Sequence, residues 1–90
     1  MASSYRFVVS GRVQGVGFRW SAVSQARHLG LGGWIANRDD GAVEGLAAGA
    51  DDRLEAFRAW LQQGPRFAKV ERVEWNESDE KPGPGFQIRR

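Results

Sequence analysis

The sequence predicts an α+β sandwich, one antiparallel sheet with two helices packed on one of its faces. Three observations carry this. Stretches with apolar residues at every second position alternate with two stretches whose apolar residues recur at three- and four-residue spacing. Their order is strand, helix, strand, strand, helix, strand, followed by a short tail strand. Glycine or proline marks most of the junctions between them.

The first strand spans residues 5–13. Tyr5, Phe7, Val9, Gly11 and Val13 share one face, while Arg6, Ser10 and Arg12 point the other way. Gln14-Gly15-Val16-Gly17 interrupts it, and two glycines in four residues predict a loop with unusual backbone angles. From about Arg19 the period becomes helical through Ala22, Val23, Ala26 and Leu29, ending at Gly30 and Gly32. A short strand over 33–37 holds Trp34 and Ile35. Arg38-Asp39-Asp40-Gly41 is a hairpin turn on its Asp-Gly signal. The return strand, 42–48, places Val43, Gly45 and Ala47 together. Asp51 or Asp52 is the expected cap of the second helix, with Glu55 at capping-box spacing from Asp52. Leu54, Phe57, Trp60 and Leu61 form its apolar stripe, and Gly64-Pro65 stops it. In the next strand, 68–75, Val70 and Val73 are out of phase, which predicts a bulge or a late start. Residues 76–85 are polar and rich in Pro and Gly, hence a loop, and Phe86 and Ile88 alternate in the final strand. This βαββαβ order is the split βαβ arrangement of the ferredoxin-like fold. With 90 residues and no repeat or linker, one domain over 1–90 is expected. Fold alone leaves function open.

Composition removes several classes of chemistry. There are no cysteines, so disulfides, thiolate metal sites and a cysteine nucleophile are excluded. Thirteen Lys and Arg face eleven Asp and Glu, a charge of +2 that suits an anionic ligand. The basic residues are scattered, so nucleic acid is not an expected partner. No apolar run approaches the roughly 20 residues of a membrane span. Met1-Ala2-Ser3-Ser4 leads directly into a strand without a signal-peptide core. A soluble cytoplasmic protein is expected, and a monomer, because two helices and one sheet consume the apolar stripes.

The stretch Gly11-Arg12-Val13-Gln14-Gly15-Val16-Gly17-Phe18-Arg19 carries the chemistry. A strand enters a glycine-rich loop, and the loop enters a helix N-terminus. Consecutive main-chain N–H groups of such a loop can converge on one anion, with the helix dipole adding favourable partial charge. An Arg at the helix start can grip a phosphate through two parallel hydrogen bonds. Neither G-x-x-x-x-G-K-[ST] nor G-x-G-x-x-G is present, so this is no nucleotide loop. Physics alone leaves two readings open, a phosphate cradle or a tight turn with a solvated Arg.

The run 11–19 resembles the first signature of the acylphosphatase family. The run Gly33-Trp34-Ile35-Ala36-Asn37-Arg38-Asp39-Asp40-Gly41-Ala42-Val43-Glu44-Gly45 resembles the second, and the likeness extends to Phe86-Gln87-Ile88. The resemblance implies hydrolysis of acyl phosphates to a carboxylate and inorganic phosphate, without cofactor or metal. It implies that the main-chain amides of Gln14, Gly15, Val16, Gly17 and Phe18 hold the phosphoryl oxygens. Arg19 matches the catalytic Arg, which binds phosphate and stabilises its charge. Asn37 matches the catalytic Asn, whose carboxamide orients the attacking water. Inorganic phosphate or sulfate is an expected ligand of the cradle. Trp20 and Ala36 depart from the family's more polar pattern beside these residues and bear on access or substrate preference.

Other conspicuous residues have plainer readings. His28, the lone histidine, is a surface or half-buried helix residue. Asp39 and Asp40 are turn formers rather than a carboxylate pair. Glu71, Glu74, Glu77, Asp79 and Glu80 form a solvated strand face and loop, and Trp34 and Trp60 belong to the core. Two rival functions stand beside the hydrolase. One is a non-catalytic acylphosphatase-like binding module, of the kind found at the N-terminus of hydrogenase-maturation carbamoyltransferases. The other is a ferredoxin-like RNA-binding domain, for which the aromatic-rich strand motif is missing.

Overall fold

The computed structural model describes residues 2–89; Met1 and Arg90, the two ends of the expected 1–90 domain, lie outside the described residues. The elements are β1 (Ala2–Arg12), α1 (Phe18–His28), β2 (Gly32–Asn37), β3 (Val43–Ala50), α2 (Asp51–Leu61), β4 (Lys69–Glu77) and β5 (Phe86–Arg89). They form one sheet in the order β4-β1-β3-β2-β5. Both helices lie on one face, α1 against β2 and β5, α2 against β3, β1 and β4. This is the ferredoxin-like α+β sandwich.

The alternation read from the sequence sets what is buried. Phe7 and Val9 of β1, Ile35 of β2 and Val43 and Ala47 of β3 meet Ala22, Val23 and Ala26 of α1 and Leu54, Phe57 and Leu61 of α2. Burying each large apolar side chain contributes about 1.5–3 kcal/mol. Phe7 and Phe57 cross edge to face at 5.7 Å, and Phe57 meets Phe86 at the same distance. Trp60 is half-buried and rests on Phe18 and Phe57.

Trp34 is buried away from that core. It forms a small cluster with Ala36 and Leu46 on the sheet face opposite the helices. The guanidinium groups of Arg6 and Arg89 lie over its ring at 5.2 Å and 4.6 Å.

Two expectations change. The sheet is antiparallel through four strands, but β5 pairs parallel to β2. The cause is the path of the preceding loop, which crosses the face opposite the helices. There Ser4 Oγ donates to the carbonyls of Ser78 and Glu80, and Arg6 pairs with Glu80 at 2.9 Å. The Gly33 N–H then bonds the carbonyl of Gly85, so the chain enters the far edge from the end where β2 begins. The second helix also starts differently. Ala50 is its N-cap and no side chain caps it; Asp51 accepts from Ser3 Oγ and Asp52 from the Arg53 N–H. The two acids act instead as negative charge on the helix N-terminus.

The expected irregularity in the fourth strand is present. Ser10 faces Arg72 and Gly11 faces Val70, so Glu71 is an extra residue, a bulge. Gly11 has a φ of 123°, and a Cβ there would lie 2.2 Å from the Lys69 carbonyl oxygen. This kink sits where β1 leaves the sheet toward the loop at 14–17.

Candidate active site

The connection from β1 to α1 is a short turn over residues 14–17. Gly15 and Gly17 have φ of 74° and 77°, and Val16 between them has none of the positive φ that glycine permits. Such alternation turns successive N–H groups toward one side of the chain. Among the described residues, no main-chain N–H from Gln14 to Phe18 donates a loop or turn hydrogen bond within the protein. Gly17 is the N-cap of α1, no side chain caps that end and no acid occupies its first turn. The first turn of a helix always carries donors without intrahelical partners. Here they continue the row of free loop donors.

Phe18 fixes the position of that helix end. Its ring is buried among the core residues and meets Trp60 at 5.5 Å. Arg19 follows, half-buried in the first turn, and among the described residues no carboxylate pairs with it. Arg12 and Lys69 are register partners where β1 and β4 end beside this loop. The local charge therefore attracts anions. Trp20 and Phe67 are the large apolar side chains exposed among the described residues, and both flank this end of the molecule.

Asn37 is the last residue of β2. Its register partner is Val43, which in turn pairs with the buried Val9 of β1. Side chains alternate along a strand, so Asn37 shares the face of Ile35 and of the helices. It is exposed, beyond the helix cover. The turn that follows has three residues between Arg38 and Ala42 rather than the two of the simplest Asp-Gly hairpin, with Gly41 at a φ of 94°. The Arg38 N–H donates to the Ala42 carbonyl at 2.8 Å and the Gly41 N–H to the Arg38 carbonyl at 3.3 Å. Asp40 is a turn former, as its sequence setting implied. It accepts from the Ala42 N–H at 3.1 Å and from Arg38 Nη2 at 2.8 Å. The Ala42 hydrogen bond, aided by the Arg38 charge, holds its carboxyl below the ordinary carboxylate range. His28, exposed in the last turn of α1, stands apart from these groups.

One contact joins the two halves. The Gln14 side chain, to which the sequence assigned only a main-chain role, donates from Nε2 to the carbonyls of Arg38 at 2.7 Å and Ala42 at 2.9 Å. Strand pairing sets the donor loop and the segment bearing Asn37 at the same end of the sheet, and this contact ties the two together there. No local pattern signals this bond, because its partners are carbonyls far along the chain.

Comparison with known proteins places this geometry among relatives. The acylphosphatase family model matches residues 5–88. An acylphosphatase from Thermococcus kodakarensis is 49% identical over 89% of this chain and 88% of its own length. The solved acylphosphatase of Bacillus subtilis superposes with a TM-score of 0.92 at 42% identity, covering all of both chains. That of Coxiella burnetii reaches a TM-score of 0.94 at 38% identity, over 98% of this chain and 93% of the other. No helix among the described residues is long and apolar enough to cross a membrane.

Proposed function

The chain belongs to the acylphosphatase family, an enzyme of the acid-anhydride hydrolase class, and from that premise we propose how its own residues divide the work. The main-chain N–H groups of residues 14–18 hold the phosphoryl oxygens of an acyl phosphate. Arg19 adds a two-pronged grip on the same group and stabilises charge as it develops. Asn37 orients a water in line with the bond to be broken. The observation that carries this is the row of unpartnered N–H groups running through two left-handed glycines into an uncapped helix start.

The chemistry asks little more. Water oxygen forms a bond to phosphorus, the bond from phosphorus to the acyl oxygen breaks, and the carboxylate leaves with the electron pair. The water proton passes to a phosphoryl oxygen of the substrate. A carboxylate is a good leaving group, so no strong general acid is required. What remains is positioning and electrostatics, the main levers of phosphoryl transfer. Each preorganised donor of this kind is worth roughly 3–4 kcal/mol when removed.

Residues 1–90 are one such domain in this reading, acting as a cytoplasmic monomer. The scarcity of exposed large apolar side chains supports the monomer. Inorganic phosphate or sulfate binds the same cradle. The test is hydrolysis of benzoyl phosphate by the purified protein, followed in the ultraviolet with EDTA present and Arg19→Ala as control. Metal-independent turnover that disappears in the variant is expected. A folded wild-type protein without turnover would select the non-catalytic binding module instead.

A further inference from the structure

We propose that Gln14 is a positioning residue for the reaction, its side chain setting the distance between the held phosphate and the water on Asn37. The inference rests on the reading of the site given above. Phosphate is held by one connection, β1 to α1, and the water is oriented from another, β2 to β3. Those two connections belong to different strand pairs, and neither covalent continuity nor the sheet ladder ties their tips together. The Gln14 carboxamide does, through its two bonds at 2.7 Å and 2.9 Å.

The chemistry of the partners fixes which way this amide points. Both neighbours are carbonyl oxygens, which only accept, so the NH2 end must face them. Its two hydrogens satisfy both carbonyls together. Those carbonyls are also the two acceptors that close the turn, taking the N–H groups of Gly41 and Arg38. Gln14 therefore grips the hydrogen-bonded ring of the turn rather than a loose end. Asn37 immediately precedes that ring in the chain. The group is half-buried, where a hydrogen bond competes less with water than on an open surface. Any displacement of the turn relative to the loop must stretch this bridge first.

The side chain has no donor left for phosphate, since both hydrogens of its NH2 group are taken by the turn. Removing it should misplace the water while leaving the anion grip of main-chain amides and Arg19 in place. A residue that was merely structural would instead lower stability, phosphate affinity and rate together.

The experiment compares wild type with Gln14→Met, which keeps side-chain length and loses both donors, and with Gln14→Asn, which keeps the donors and shortens their reach. Turnover of benzoyl phosphate is measured alongside the competitive inhibition constant of inorganic phosphate and the melting temperature. In Gln14→Met kcat is expected to fall about 10- to 100-fold with phosphate affinity within about threefold of wild type, and Gln14→Asn to lie between the two. An independent readout is phosphate titration followed by NMR. In wild type the Asn37 carboxamide and Arg38 N–H resonances shift with the loop amides, and in Gln14→Met the loop amides shift alone. Unchanged kcat in the folded variants, a parallel loss of kcat and phosphate affinity, or an Asn37 shift that survives Gln14→Met would each overturn the proposal. Wild-type turnover tests the reading of the site itself, and the NMR comparison tests the bridge whether or not turnover occurs.

Discussion

Gly17→Ala places a methyl group on the loop proposed to hold phosphate, and its cost can be bounded from the backbone. Gly17 has φ 77° and ψ 18°, and a Cβ there meets nothing within 4 Å. The penalty is therefore conformational, about 1–2 kcal/mol for an L-residue in the left-handed region. That free energy must appear in one of two places. If the loop keeps its shape without ligand, the protein loses stability, and the melting temperature drops by about 4–16 °C for a domain of this size. If the loop relaxes instead, phosphate must restore it on binding, and the inhibition constant rises by a factor of about 5–30. Scanning calorimetry and phosphate inhibition of benzoyl phosphate turnover, run on one preparation, measure both. Two controls bracket the result. D-alanine at position 17, introduced by chemical synthesis, prefers positive φ and should recover most of the loss. Gly11→Ala, whose methyl would meet the Lys69 carbonyl oxygen at 2.2 Å, should lose far more stability. Wild-type melting and inhibition in Gly17→Ala would refute the left-handed loop on which the cradle depends. A loss beyond the bound would show the methyl meeting the ligand directly.

Three further outcomes are expected. Arg19→Lys keeps the charge and should recover little of the activity lost in Arg19→Ala, because an ammonium cannot make the two-pronged grip; near-normal turnover in steady-state kinetics would remove that role. Asn37→Ala should cut kcat by roughly 10²–10³-fold while phosphate inhibition stays close to wild type, and collapse of phosphate affinity would make Asn37 a ligand instead. The third concerns acid. The Asp40 carboxyl is held below its ordinary value of 3.8, so its ionised form favours the folded turn. That contribution is complete above about pH 4 and is lost as pH falls through the lowered folded value. The protection factor of the Ala42 amide, its exchange relative to the intrinsic rate at the same pH, should therefore fall below pH 3.8, and Asp40→Asn, which keeps an acceptor but cannot titrate, should flatten the change.

The fold was legible because its signals are local. Alternation over residues 5–13 and the spacing of Leu54, Phe57 and Leu61 name buried faces directly, and the phase break between Val70 and Val73 marked the Glu71 bulge. Phe86 and Ile88 announced a strand but not its neighbour. That choice was made by the loop before it, through contacts with Ser4, Arg6 and Gly33 that no periodicity encodes. The capping-box spacing at Asp52 failed because Ala50 took the cap position and Ser3 engaged Asp51 from a distant strand. At the site, the unusual backbone of Gly15 and Gly17 was readable, since glycine alone adopts those left-handed angles freely. The Gln14 bridge was not, because its acceptors are main-chain carbonyls that any residue supplies.

The position of Asn37 follows from register more than from its own surroundings. Val9 pairs with Val43 and Val43 with Asn37, a row across three strands that spans roughly 10 Å. Val9 and Val43 point into the helical core, so the same row obliges Asn37 to face the side on which β1 turns over into the loop and α1. A slip of one residue would send it to the opposite face, where Trp34 and Leu46 lie. Buried Ile35 makes that slip costly, because it would leave the core while Trp34 and Ala36 turned into it. The packed core thus selects the face on which Asn37 stands. The three-residue turn and the Gln14 bridge only need to set the last fraction of distance. The placement of Asn37 is in this sense written mainly in apolar residues of the core.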